Sequence, residues 1–111
     1  MKLTDQKCIP CEDKSIKPMK PIEAKKMMKE IPKWILEKSS KKISRTWLFA
    51  DFKEAMKFVN TVAKIAEKDV HHPDIFIWYN KVRLDLWTHA IGGLSENDFI
   101  VAAKVNAASG K

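Results

Sequence analysis

Glycine is scarce in this chain, 3 in 111 residues, too few to expect a phosphate-cradling loop or a dinucleotide-binding turn. No nucleophile elbow is present either, so covalent and nucleotide-dependent chemistry are not expected. The two cysteines, Cys8 and Cys11, lie three apart near the start, which excludes a disulfide framework and leaves reduced thiols on a loose arm as the simplest reading. Two thiolates with no nearby His fall short of the four ligands of a structural zinc site. Long apolar runs are missing too: nothing approaches the ~18 to 20 residues of a membrane helix. Met1-Lys2-Leu3-Thr4-Asp5 has no apolar segment resembling a secretory signal, so a cytoplasmic location is expected. What the chain does have is 45% apolar and 32% charged residues, the composition of one globular domain with a single core.

The net charge is +7, a value that would suit nucleic acid if it were gathered on one binding face. It is gathered instead in one stretch of sequence. Residues 1–45 carry 13 Lys/Arg against 6 Asp/Glu, and residues 46–111 carry 8 against 8. The excess is made of single lysines among other residue types, with no arginine-rich run, so a solvated basic surface is the favoured reading and nucleic acid is not an expected partner.

Residues 1–20 mix Lys, Asp, Pro and Cys without period and read as an irregular arm. A single domain over residues 21–109 follows. Pro21 opens a short helix whose stripe is Ala24, Met27, Met28 and Ile31, and Pro32 ends it. Trp34-Ile35-Leu36 reads as a brief strand, and Ile43 to Phe49 as a longer one. The spacing of Phe52, Ala55, Met56, Val59, Val62, Ala63 and Ala66 predicts a second helix, with Asp51 as its cap, Glu54 reaching back, and Lys53, Lys57, Asn60, Lys64 and Lys68 facing water. Residues 75–89 read as a hairpin turning at Asn80-Lys81. Gly92 and Gly93 interrupt the pattern, and Ser95 with Asp98 forms a capping box for a last helix carrying Ile100, Val101, Ala103 and Val105. The element order is α-β-β-α-β-β-α. The economical fold is α+β, a four-stranded antiparallel sheet with three helices packed on one face.

Three histidines, His71, His72 and His89, meet in that hairpin. With a two-residue turn at Asn80-Lys81, Tyr79 pairs with Val82, Ile77 with Leu84, Ile75 with Leu86 and His72 with His89. The imidazoles then lie at the end remote from the turn. Glu67 sits one helical turn before His71, where a carboxylate can orient an imidazole and raise its basicity. Two or three imidazoles can divide general acid and general base work near neutral pH, a contribution of typically ~10² to 10⁴ in rate. The blander alternatives are histidines converging by accident, Asp98 as a cap and nothing more, and Trp34, Trp47, Trp78 and Trp87 as core or subunit-contact aromatics. A metal site ranks lower than acid-base work, because adjacent His71 and His72 project to opposite sides of an extended chain and no further ligand completes a zinc motif.

Glu67, His71-His72-Pro73, Tyr79, His89 and Asp98 together resemble the signature of the pterin-4a-carbinolamine dehydratases. Tyr79-Asn80-Lys81-Val82 and Gly93-Leu94-Ser95 also fit, and the likeness runs from about Ile31 to Ala103. Cys8-Ile9-Pro10-Cys11, Ile31-Pro32-Lys33-Trp34 and Asn97-Asp98-Phe99-Ile100 are similar to segments of the bacterial branch. Ala90 and Asn97 stand where some relatives carry an acidic residue and an Arg.

The resemblance implies a hydro-lyase, 4a-hydroxytetrahydrobiopterin dehydratase, which removes water from a 4a-hydroxytetrahydropterin to give quinonoid dihydropterin. It implies that His72 and His89 move the protons, that His71 binds and polarises the pterin, that Glu67 and Asp98 support them, and that Pro73 and Tyr79 contact substrate. No metal or other cofactor is implied. The expected partners are the pterin, further copies in a homodimer or homotetramer, and a functional link to an aromatic amino acid hydroxylase. The alternative function is a non-catalytic binding protein, since mammalian relatives also act as dimerisation cofactors of a homeodomain transcription factor.

Overall fold

The computed structural model describes residues 3–6, 8 and 17–110; Cys11 and most of the expected arm lie outside them. Three α-helices, α1 (Pro21–Met27), α2 (Phe52–Asp69) and α3 (Glu96–Ser109), accompany four strands, β1 (Ile35–Leu36), β2 (Ile43–Leu48), β3 (Asp74–Trp78) and β4 (Lys81–Leu86). The strands form one antiparallel sheet in the order β1-β2-β4-β3. The α+β architecture expected from the sequence is the observed one. Short 3₁₀ turns add Leu3–Asp5, Met28–Glu30 and His89–Ile91.

The core lies between the helices and one sheet face. Ile43 and Trp47 of β2 and Val82, Leu84 and Leu86 of β4 alternate into it and are buried with Ala24, Ile31, Phe58, Val62, Leu94, Phe99, Val101 and Val105. Trp34 and Trp47 meet edge to face at 5.8 Å, and Phe58 packs on Trp47 at 4.7 Å. Arg45 shares that face at 5% exposure, over the Trp47 ring and bonded to Asn106, which also accepts from Trp34 Nε1 at 2.8 Å. Burial pushes the Arg45 guanidinium below its ordinary pKa. The open face carries Thr46 and Leu48 of β2, Phe76 and Trp78 of β3, and Lys81 and Arg83 of β4.

Each helix begins at the residue the sequence nominated, while α1 ends at Met27, ahead of the expected stop at Pro32. Pro21 opens α1, and Ile31, just before Pro32, is fully buried. Asp51 accepts the Glu54 amide at 2.9 Å to start α2, without the reciprocal bond from Glu54 that would complete a box. The buried stripe of α2 is Ala55, Phe58, Val62, Ala66 and Asp69, rotated from the expected one: Phe52 and Ala63 are exposed, and Phe58 fills the space beside Trp47 and Phe49. Asp69 is buried because Lys104 of α3 meets both its oxygens, at 2.9 and 2.8 Å. α3 is buried on several sides, from Asn97 through Ala103 and at Val105, as expected of a helix apolar all round.

The hairpin corrects the expected register. Trp78 pairs with Lys81 and Ile77 with Val82, so the turn is Tyr79-Asn80, two residues tighter in register than Tyr79 paired with Val82. Asn80 is held in the turn by the chain leaving β2: its side-chain amide donates to Phe49 O at 3.0 Å and its carbonyl accepts from Phe49 N at 2.8 Å. The positive φ falls on Tyr79, at 44°. A shift of two leaves every side chain on its expected face, but the ladder ends at Asp74 and Asp85, so His72 and His89 are not paired on it. Cys8 is half-buried against the core rather than exposed, its thiol 3.7 Å from Asn97 O. Among the described residues no helix is long and apolar enough to cross a membrane.

Candidate active site

The site begins where α2 stops. Val70 adopts the left-handed conformation (φ 51°, ψ 42°), and the amides of Val70 and His71 both bond to Ala66 O. This conformation is rare for a β-branched residue, and it turns the next two side chains apart. His71 points inward and is 4% exposed; the His72 side chain is 56% exposed.

His71 Nε2 lies 2.6 Å from Asp98 Oδ1, and Asp98 is fully buried. The other oxygen, Oδ2, accepts from Thr88 Oγ1 at 2.9 Å and from the Ser95 amide at 3.0 Å. Asp98 is therefore a cap, completing the box with Ser95 at the start of α3, and at the same time the anchor of an imidazole. Its two oxygens tie the segment after α2 to the segment after β4. The three donors converging on it offset the cost of burying a carboxylate.

Thr88 immediately precedes His89. Its backbone pairs with Gly93, Thr88 N to Gly93 O at 2.8 Å and Gly93 N to Thr88 O at 3.4 Å, closing a loop in which His89–Ile91 form a 3₁₀ turn and Gly92 takes a φ of 63°. A Cβ on Gly93 would come within 2.9 Å of Pro18, so the close approach of residues 17–19 requires glycine there. His89 is exposed and stacks on Trp87 at 4.0 Å and 27°. Trp87 Nε1 donates to Asp74 Oδ2 at 3.4 Å, a second link between the segments that carry His72 and His89. Side chains thus make the connection that the expected strand register assigned to the ladder.

Glu67 is one turn before His71 on α2, and its Oε2 lies 2.6 Å from His72 Nε2, both groups open to solvent. Pro73 is half-buried at the mouth of β3, where a residue without an N–H can precede the ladder. Tyr79 lies at the other end of β3, 66% exposed and roughly 16 Å along the strand from Asp74. Within one chain, His71, His72, Pro73, Glu67, His89 and Asp98 share one end of the hairpin and Tyr79 marks the other. Ala90 is exposed and Asn97 is buried. Among the described residues, no three His, Cys, Asp or Glu side chains converge as metal ligands.

Sequence reasoning missed Thr88 as a member of this end of the fold. Thr88 continues the alternation of Val82, Leu84 and Leu86, so a polar residue at a core-facing position beside His89 was the available signal. The expected register sets Asp74 opposite Trp87 on the face of the His pair; in the structure it is their side chains that bond. On the open face, Arg83 donates to both oxygens of buried Asp85 at 2.8 Å. That hydrogen-bonded carboxylate raises the Arg83 pKa above its ordinary value.

Known proteins resemble this chain in sequence and in fold. The family described as "Pterin 4 alpha carbinolamine dehydratase" matches residues 17–108. A Halorhodospira halophila protein named for pterin-4-alpha-carbinolamine dehydratase is 43% identical over 107 residues, covering 96% of this chain and 97% of its own. One from Nitrosomonas europaea, named for the same activity, is 47% identical over 94% of this chain and 90% of its own. The Arabidopsis thaliana "Pterin-4-alpha-carbinolamine dehydratase 2, mitochondrial" is 40% identical over 94% of this chain and 57% of its own. A crystal structure of a transcriptional coactivator/pterin dehydratase from Brucella melitensis superposes with a TM-score of 0.76 at 33% identity, over 81% of this chain and 96% of that one. With the family matched over most of its length and relatives above 40% identity along nearly all of it, the chain belongs to the pterin-4-alpha-carbinolamine dehydratase family.

Proposed function

We propose that the protein dehydrates a 4a-hydroxytetrahydropterin to quinonoid dihydropterin and water by histidine acid-base catalysis. The reaction breaks the C4a–O bond, for which the departing hydroxyl takes up a proton. N5 loses its proton, and its electrons form the new N5–C4a double bond. His72 and His89, the two exposed imidazoles, serve these two transfers. His71, the innermost of the three, makes the binding and polarising contact with the pterin while Asp98 fixes its ring. Glu67 orients His72 through the 2.6 Å contact, and Pro73 and Tyr79 contribute to substrate binding.

The observation that supports this reading is the buried Asp98 carboxylate, whose two oxygens engage His71 and the residue before His89. A fold that needed only a helix cap there would not require an imidazole at the other oxygen. The test is turnover of an enzymically generated carbinolamine. His72→Ala and His89→Ala are each expected to lower the rate at least ~10-fold; unchanged rates in both variants overturn the assignment.

We further propose self-association through β3, a link to an aromatic amino acid hydroxylase as the source of the carbinolamine, and action on the free pterin. β3 is an edge strand with Ile75, Phe76, Ile77 and Trp78 between 37% and 48% exposed on both faces, an arrangement prone to pair with another strand. A monomeric mass by light scattering refutes the self-association. The second reading, a transcriptional cofactor, is favoured by the coactivator naming of the Brucella melitensis neighbour. Absent turnover together with a tight protein partner supports it.

A further inference from the structure

The hydroxyls around Asp98 have a direction set by which of their partners can only donate and which can only accept. The Ser95 amide can only donate, and it donates to Asp98 Oδ2 at 3.0 Å. Ser95 Oγ accepts from the Asn97 amide at 3.3 Å. Thr88 has one hydroxyl proton, and a carboxylate accepts only, so that proton goes to Oδ2 across 2.9 Å. The 2.8 Å contact between Thr88 Oγ1 and Ser95 Oγ then carries the serine proton toward the threonine. A one-way chain results: Asn97 N–H to Ser95 Oγ–H to Thr88 Oγ1–H to Asp98, with each bond polarising the next. At the far oxygen, 2.6 Å away, the ring of His71 supplies a donor, which places the proton of the neutral imidazole on Nε2 and the lone pair on Nδ1.

We propose that Thr88 is a positioning residue for dehydration: its hydroxyl locks the Asp98 carboxylate so that Oδ1 faces His71 and holds that imidazole in the Nε2-protonated tautomer. The role rests on the reading that His71 contacts the pterin. Thr88 is suited to it by place as well as by chemistry. It is 3% exposed, its backbone is fixed by Gly93 on both sides, and it is the residue before His89, so the same hydroxyl that orients one imidazole registers the segment bearing another. Two donors on Oδ2 leave the carboxylate a single rotational setting. With one donor it can turn, and His71 turns with it or exchanges tautomers.

The test compares Thr88→Val, which keeps the shape and removes the hydroxyl, with Thr88→Ser, which keeps the hydroxyl. Two readouts are taken, steady-state kinetics and the tautomer of His71 by ¹⁵N NMR of the protein without substrate. The valine variant is expected to lose about 10-fold in kcat with KM within about 2-fold, as for a misoriented catalytic group, and to show a mixed His71 tautomer. The serine variant is expected to restore both. A valine variant with the wild-type tautomer, or with kcat within 2-fold of wild type, overturns the proposal, and so does failure of serine to rescue. If the valine variant does not fold, Ser95→Ala, which removes the proton that Thr88 accepts, is expected to move the same two readouts by a smaller amount, and no movement overturns the proposal. The NMR readout needs no turnover, so full activity in His71→Ala would refute the reading of His71 while leaving the tautomer result to judge Thr88.

Discussion

Asp98→Asn exchanges one oxygen of the buried carboxylate for an amide nitrogen and leaves the shape unchanged. The amide can be placed in two ways. With its oxygen toward Ser95 and Thr88 it still accepts from the Ser95 amide and the Thr88 hydroxyl, but its NH₂ then faces His71 Nε2, 2.6 Å away in the native protein. In the opposite setting the NH₂ faces the Ser95 N–H, two donors that cannot change roles in a site with no exposure. A buried unsatisfied donor costs ~1 to 3 kcal/mol, so the first setting dominates by roughly 5- to 150-fold. His71 must then accept at Nε2 and carry its proton on Nδ1, the reverse of the native tautomer. Charge-assisted bonds also become neutral ones, a loss of about 1 to 2 kcal/mol, or a Tm lower by roughly 5–12 °C. Inverting a tautomer in this way has removed ~10⁴ from kcat in a hydrolytic triad; here, where His72 and His89 remain, a loss of about 10² is expected. The measurements are ¹⁵N NMR of the imidazoles and carbinolamine turnover. A folded Asp98→Asn protein that keeps the His71 proton on Nε2, or that turns over at the native rate, refutes the reasoning. Alanine at this position is less informative, because it also removes the cap and strands the Thr88 hydroxyl.

Two substitutions test how the end of α2 is held. Lys104→Ala leaves the buried Asp69 carboxylate, 3% exposed, without the ammonium that meets both its oxygens. Stranding a buried charge costs ~3 to 5 kcal/mol when the pair is fully enclosed, and about 2 kcal/mol with the lysine partly open to water. The Tm should fall by roughly 10 °C, and a change below about 2 °C in a thermal melt would show that the pair carries no stability. Val70→Asn keeps the left-handed turn (φ 51°) while replacing a β-branched, 66% exposed side chain. It is expected to stabilise the protein by ~1 kcal/mol, and a lower Tm would refute the strain argument.

The parts of the fold readable in the sequence were those set by local rules. Asp51, Ser95 and Asp98 mark helix starts because a free backbone amide needs a side-chain acceptor wherever the helix is placed. The alternation of Val82, Leu84 and Leu86 identified the buried face of β4 because strand periodicity does not depend on register. Register itself was not readable. It depends on Asn80 being captured by Phe49, 31 residues earlier, a tertiary contact that no hairpin rule contains. The same limit applies to the site: the residue types and their spacing were legible, while the contacts joining them, Asp98 to Thr88 and Asp74 to Trp87, arise from packing between elements.

Burying an ionisable pair is a poor way to gain stability, since apolar groups of equal volume often do as well or better. The His71–Asp98 pair, at 4% and 0% exposure, therefore calls for a reason other than stability. Its position supplies one. α3 needs a cap at Ser95, and the Thr88 loop needs a buried partner for its hydroxyl, and one carboxylate meets both demands with Oδ2 alone. Oδ1 is left over for a group that the fold itself does not require, and the sequence fills that place with an imidazole adjacent to His72. A leucine at position 71 would satisfy packing and would leave Oδ1 unpaired. The pair thus ties the orientation of His71 to the two structural bonds least able to vary, so that the imidazole is held in register by the same contacts that keep α3 and the loop bearing His89 folded.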